Sequence, residues 1–133
     1  MKINSVQLKN METNHITEQI LKCAFKVHSA LGPGLLESAY QACLKYEIIK
    51  SGLYVESEKA LPLIYEEVKL DCGYRLDLLV EKEVIVELKT VEFFTDVHLA
   101  QVLTYLKISN KKVGLLINFN TKSLRDGIKR VVL

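Results

Sequence analysis

The chain has 133 residues, 49% of them hydrophobic and 26% charged, with a net charge of +2. That is ordinary for a globular protein with a core of its own, and the charge is too small by itself to name a partner. No apolar run approaches the ~20 residues of a membrane span, so no membrane partner is expected.

Residues 1–12 read as an N-terminal arm and residues 13–133 as a single domain. No apolar h-region follows Met1, so no signal peptide is expected. Cys23, Cys43 and Cys72 form no CxxC pair and are expected to be free, buried thiols of a cytoplasmic protein. From Thr13 to Leu31, residues Ile16, Ile20, Ala24, Val27 and Leu31 recur on one helical face, with Thr13 or Asn14 as cap. His15 and His28 have no metal-ligating neighbour at i+4 and are expected at the helix surface or the core edge. Gly32-Pro33-Gly34 stops this helix. A second helix follows from about Leu35 to Ser51, with Leu36, Ala39, Tyr40, Cys43 and Leu44 as its apolar stripe. Glu37 falls in its first turn, where the helix dipole favours a carboxylate. Tyr40 reads as a packed aromatic whose hydroxyl finds a partner.

Gly52 ends the second helix, and Leu53 to Ala60 alternates as a strand. Pro62 marks a strand edge, because proline cannot donate to a ladder. Leu63–Tyr65 and Val68–Leu70 make a hairpin around Glu66-Glu67. After a break at Asp71-Cys72-Gly73 come strands from Tyr74 to Val80 and from Val84 to Val91. A third helix begins at Thr95 or Asp96 and ends near Ile108. Leu99, Val102, Leu103 and Leu106 form its apolar stripe, and His98, Gln101 and Tyr105 form a polar one. Lys112 to Phe119 is a buried strand, Asn120 to Gly127 a polar loop, and Ile128 to Leu133 a closing strand. With the 63–70 hairpin taken as one unit, the order is α-α-β-β-β-β-α-β-β. The expected fold is α/β, a mixed central β-sheet with helices on its faces.

One stretch stands out from this pattern. Arg75 to Thr90 reads as two apolar, β-branched strands joined by Glu81-Lys82-Glu83, yet it carries Asp77, Glu87 and Lys89. Acidic residues are depleted in strands and costly to bury, and Glu87 and Lys89 share a face. An aspartate opposite Glu-x-Lys points to a divalent-metal site. The reading carries a register requirement, because directly paired residues share a sheet face. Asp77 meets Glu87 across the hairpin only if the turn has an odd number of residues, such as Glu81 to Glu83. A two-residue turn would put Glu87 on the opposite face.

Charge is distributed unevenly. Residues 56–96 hold 11 acidic and 5 basic residues, and residues 107–130 hold 7 basic and 1 acidic. An acidic middle beside a basic tail suits a metal site with an anion-binding flank; two solvated faces are the alternative.

These residues resemble a known family. Gly34-Leu-Leu-Glu37-Ser-Ala-Tyr40 is similar to the signature of the GxxExxY proteins, a branch of the PD-(D/E)xK nuclease superfamily. Asp77 with Glu87-Leu-Lys89 resembles that superfamily's acidic residue and its (D/E)xK, although Leu76 stands where its name has proline. Gln101-Val-Leu-Thr-Tyr105 resembles the QxxxY element of RecB-like nucleases. The resemblance runs from about residue 14 to the end. It implies a restriction-endonuclease-like core and a nuclease of the Mg²⁺ (or Mn²⁺) type acting on DNA or RNA. Asp77, Glu87 and Lys89 would be catalytic, and Glu37, Asp77, Glu87 and the backbone carbonyl of Leu88 would hold the metal. Tyr40, His98, Gln101 and Tyr105 would contact substrate or orient the metal shell.

A Mg²⁺ held by one or two carboxylates neutralises phosphate charge and activates water. A lysine acting as free base near pH 7 must give up its proton at a cost of roughly 4 kcal/mol, so Lys89 is expected to stay charged and position the water. The alternative for Lys89 is a salt bridge to Glu87 or Asp77. Lys107, Lys111, Lys112, Lys122, Arg125, Lys129 and Arg130 are candidate phosphate contacts. With no separate recognition domain, specificity would need a homodimer or a partner protein. The competing function is a catalytically silent module of the same fold that binds nucleic acid or protein.

Overall fold

The computed structural model describes residues 2–133. Its first helix, α1 (Ser5–Leu31), starts well before the expected Thr13. Asn4 is its cap: the Asn4 side chain accepts from the Gln7 N–H while the Gln7 side chain accepts from the Asn4 N–H, a reciprocal closure of two orphan donors. Residues 5–12, read as part of an arm, are therefore helical. They remain exposed, and that lack of a buried stripe is why periodicity does not find them.

Helix α2 (Glu37–Lys50) follows, then β1 (Val55–Ala60), the hairpin strands β2 (Leu63–Tyr65) and β3 (Val68–Leu70), β4 (Arg75–Val80) and β5 (Val84–Lys89). Helix α3 (Asp96–Ser109), β6 (Val113–Asn118), a short 3-10 turn (Leu124–Gly127) and β7 (Ile128–Val132) complete the chain. This is the expected element order, the β2–β3 hairpin standing apart as a two-stranded sheet. The main sheet runs β1-β4-β5-β6-β7 and is antiparallel at every junction except β5 with β6. A parallel pair needs a crossover, and α3 supplies it.

Period-two alternation divides the sheet between two cores. Leu78, Val80, Val84, Val86 and Leu88 face α1 and α2, where Ile20, Ala24, Leu44 and Ile48 meet them. Leu79, Ile85 and Leu116 face α3, against Val102, Tyr105 and Leu106. Of the cysteines, Cys23 is buried, but Cys43 is only partly so and Cys72 is exposed. Cys72 departs from the expected buried thiol because it sits in the break before β4, outside either core. Among the described residues, no helix is long and apolar enough to cross a membrane.

Gly114, in β6, decides how closely α3 lies on the sheet. A Cβ built there would stand 2.8 Å from Cγ1 of Val102. Gly114→Val should therefore lift α3 and cost about 1–3 kcal/mol, read as a lower urea midpoint with unchanged slope. An unaltered midpoint would show that α3 does not depend on this close approach.

Candidate active site

The turn between β4 and β5 is Glu81-Lys82-Glu83, with Leu78 opposite Val86, Leu79 opposite Ile85 and Val80 opposite Val84. Glu81 and Lys82 adopt left-handed φ angles of 52° and 56°, which reverse the chain in an odd-length turn. The same register brings Asp77 opposite Glu87. The regular ladder stops one pair earlier, and side chains take over its bonds. The Asp77 carboxylate accepts the Leu88 N–H at 2.9 Å, and the Asp77 N–H donates to a Glu87 carboxylate oxygen at 3.4 Å.

Glu87 is only 3% exposed. Burial, then the Asp77 charge and a hydrogen bond to Asp77, push its carboxyl up to about 9. Lys89 does not neutralise it. Its Nζ donates to Oε1 of Gln101 at 3.2 Å, and among the described residues it forms no ion pair with Asp77 or Glu87. The salt bridge offered as the alternative role of Lys89 is thus not made. Gln101 belongs to α3, so the helix holds the lysine head.

Glu37 opens α2, whose cap residue Leu36 makes no side-chain bond. The Glu37 carboxyl is raised by burial, then by the Asp77 charge, while Lys89 pulls it down and Glu58 pushes it up. These four groups thus share one electrostatic neighbourhood. Tyr40 lies behind it and is fully buried. Its ring stacks on Phe119 at 4.7 Å, and its hydroxyl donates to the Gly32 carbonyl and accepts from the Leu35 N–H. Tyr40 therefore holds the turn that delivers Glu37 rather than facing a substrate. Tyr105 is buried on the α3 side, where burial and then the Glu87 charge raise its hydroxyl.

Other expected participants lie elsewhere. His98 accepts the Thr95 N–H on Nδ1 at 3.0 Å and stands edge-on to Phe94, so its ring closes the start of α3. Leu88 contributes its N–H to Asp77, as above. Among the basic residues, Lys111, Lys112 and Arg130 gather at the opposite end of the sheet, by the starts of β5 and β6. His15 is exposed, and buried His28 donates from Nε2 to the Thr121 carbonyl at 2.7 Å.

Three residues of this neighbourhood escape the sequence pattern. Glu58 interrupts the β1–β4 ladder opposite Asp77, between the pairs Ser57–Leu78 and Lys59–Leu76, with a left-handed φ of 51°. A non-glycine residue there is strained, and such strain clusters at functional sites. Gln41, one turn beyond Glu37, donates to Glu58 Oε1 at 2.7 Å and to the Asp77 carbonyl at 3.4 Å. Buried Asn118 ends β6 and clamps the segment after Lys89, exchanging bonds with the Val91 carbonyl and N–H at 2.8 and 3.1 Å. The charged run from Glu56 to Lys59 and the Asn that ends an apolar strand are the only signals they leave.

Two facing carboxylates, one deeply buried without a cation, suit a hard divalent ion. Among the described residues, no three of His, Cys, Asp and Glu stand close enough together to form a metal cage. That argues against an all-protein cage of the zinc or calcium kind. A Mg²⁺ bound by one or two carboxylates and several waters would not need such a cage.

The raised Glu87 carboxyl has a consequence for stability. Between its ordinary value of 4.5 and about 9, the metal-free folded state keeps a proton that the unfolded chain has lost. Stability should then fall as pH rises through that window, by at most about 1.4 kcal/mol per unit. Glu87→Gln removes the titration. In EDTA it should melt higher than wild type at pH 8, with a shallower pH dependence from 5 to 9. Equal slopes would mean that Glu87 ionises freely in the fold.

A family model described as the PD-(D/E)XK nuclease superfamily matches residues 14–131. Neither a curated protein nor a solved structure matches the chain. The matched span contains both helices and both strands that build the site, and the mixed sheet flanked by helices has the restriction-endonuclease-like form. The chain belongs to the PD-(D/E)XK nuclease superfamily.

Proposed function

We propose that this nuclease-like protein is a metal-dependent phosphodiesterase acting on DNA or RNA, within the GxxExxY branch. The observation that carries the reading is Glu87, a buried carboxylate with no paired cation, facing Asp77 where β4 and β5 part. A buried, strongly perturbed acid in such a place is a functional candidate. Asp77 and Glu87 would hold Mg²⁺ or Mn²⁺, with Glu37 joining directly or through water. The ion would supply charge neutralisation on the phosphate and an acidified water.

The remaining work falls to side chains of this chain. Lys89, steadied by Gln101, would stand beside the phosphate, where charge develops on the non-bridging oxygens. Gln101 and Tyr105 set the α3 wall of the site. Gln41 ties Glu58 to the Asp77 backbone and so keeps the β1 side of the site in place. A second reading is a silent binding module of the same fold. The observation that favours it is the lack, among the described residues, of three metal-ligating side chains already gathered together.

The two readings separate in a cleavage assay on single- and double-stranded DNA and RNA with Mg²⁺ or Mn²⁺. The enzyme reading expects metal-dependent cleavage that falls by about 10²-fold or more in Lys89→Ala and Asp77→Ala. It also expects Mg²⁺ to raise the melting temperature of wild type and not of Asp77→Asn. Activity equal in wild type and both variants would identify a contaminant. Mg²⁺ stabilisation that survives loss of Asp77 would remove it from the ligand set.

A further inference from the structure

The end of the sheet remote from Asp77 and Glu87 carries a cavity of about 690 Å³. It lies at the starts of β5 and β6 and the end of β7, with Lys9 to Asn14 of α1 across from them. Strand β5 separates it from the candidate active site, since Val84 pairs with Val113 of the cavity wall while Lys89 ends the strand. At about 3.3 Å per residue, Val84 lies roughly 10 Å from Glu87 and roughly 16 Å from Lys89.

Five cationic side chains line this cavity, Lys9, Lys82, Lys111, Lys112 and Arg130, against one acid, Glu83. They come from α1, two separate turns and β7, so the fold assembles them. Glu83 is paired with Lys9 and accepts from Thr13, and among the described residues the other four cations form no ion pair. Even with a carboxylate counted at Leu133, the lining is net positive on a chain whose total is only +2. Two further acids stand nearby: Glu81, which accepts the Tyr54 N–H, and Glu56, which is paired with Lys59 and also feels the charges of Lys82 and Lys111.

Arg130 is the most informative of the four. Its guanidinium donates to Oγ1 of Thr17 at 3.0 Å and to Oδ1 of Asn14 at 2.7 Å. Both partners are neutral, so the charge is fixed in place and left unspent, as an anion-binding arginine requires. Lys82 is also held, its ammonium 5.7 Å from the centre of the Tyr54 ring. The rest of the lining is not basic. Asn10, Asn14 and Asn110 offer amides, and Val113 and Val132 offer apolar surface. Amides suit the edge of a base or a sugar hydroxyl, apolar surface suits a base's face, and the volume falls in the range of small-ligand sites.

We propose that this cavity is a second, non-catalytic site for a phosphorylated nucleoside, its phosphates held by Lys82, Lys111, Lys112 and Arg130. The nucleoside arrives either as a free nucleoside polyphosphate or as the phosphorylated end of a nucleic acid. The site does not depend on the metal reading, because its residues and its charge lie apart from the carboxylates.

Titration calorimetry on the full chain in EDTA tests it, with four probes: a nucleoside triphosphate, inorganic tripolyphosphate, and one short oligonucleotide with and without a 5′-phosphate. The expected result is one-to-one binding of the triphosphate, or of the 5′-phosphorylated oligonucleotide over its unphosphorylated form, and which of them binds identifies the source. Binding should weaken at least tenfold in Arg130→Gln and in the double variant Lys111→Gln/Lys112→Gln, and stay unchanged in Lys69→Gln, an exposed residue of the β2–β3 hairpin outside the cavity. The double variant, in an exposed turn, carries the test if loss of Arg130 unsettles α1. No saturable binding of any probe at millimolar concentration would overturn the proposal. So would oligonucleotide binding that ignores the 5′-phosphate together with triphosphate binding no tighter than that of tripolyphosphate, or equal weakening in Lys69→Gln.

Discussion

Burial of the Glu87 carboxylate is the constraint around which the rest of this structure is arranged. A carboxylate in the middle of a sheet costs several kcal/mol unless something meets its charge. Here the Asp77 charge makes the cost larger, and Lys89, whose head is held by Gln101, offsets it only in part. Burial and the Asp77 charge push the Glu87 carboxyl up to about 9, which favours its protonated form, and a divalent cation would relieve the same cost. Everything that fixes the position of Glu87 thus also fixes how strongly the site calls for positive charge.

The fixing is done from both faces. On one side, Tyr40 and Phe119 stack beneath the turn at Gly32, and the first residue after that turn's cap is Glu37. On the other, the bare Cα of Gly114 lets α3 lie close enough for Gln101 to reach Lys89. Asn118 pins the chain where β5 ends. The two helices therefore act as opposed walls on a pair of strands that have begun to separate.

Much of this was legible in the sequence because β-structure has a period of two. Once Asp77 and Glu87 were placed in adjacent strands, the number of residues in the turn decided whether they met, and a turn of Glu81-Lys82-Glu83 is odd. The apolar stripe of α3 was equally plain; that of α2 was read one residue too far, since Leu36 caps the helix and is exposed. What was not legible follows from two physical causes. Residues 5–12 bury nothing, so no periodic signal marks them, and their helix is held at its start by the exchange between Asn4 and Gln7. Glu58, Gln41 and His98 depend on tertiary or capping geometry, a strained φ in one case and a ring nitrogen accepting an N–H in another, which spacing does not reveal. The basic tail illustrates the same limit. Its charge was evident, but the strand directions send Lys111, Lys112 and Arg130 to the far end of the sheet from the carboxylates.

The most direct test of the central claim is to follow the side-chain carboxyl carbon of Glu87 by NMR at pH 7, first in EDTA and then with Mg²⁺. The account predicts a protonated carboxyl in the metal-free protein, as its value of about 9 requires, and an ionised one when Mg²⁺ is added. A carboxyl already ionised without metal, or one that saturating Mg²⁺ leaves protonated, would contradict it.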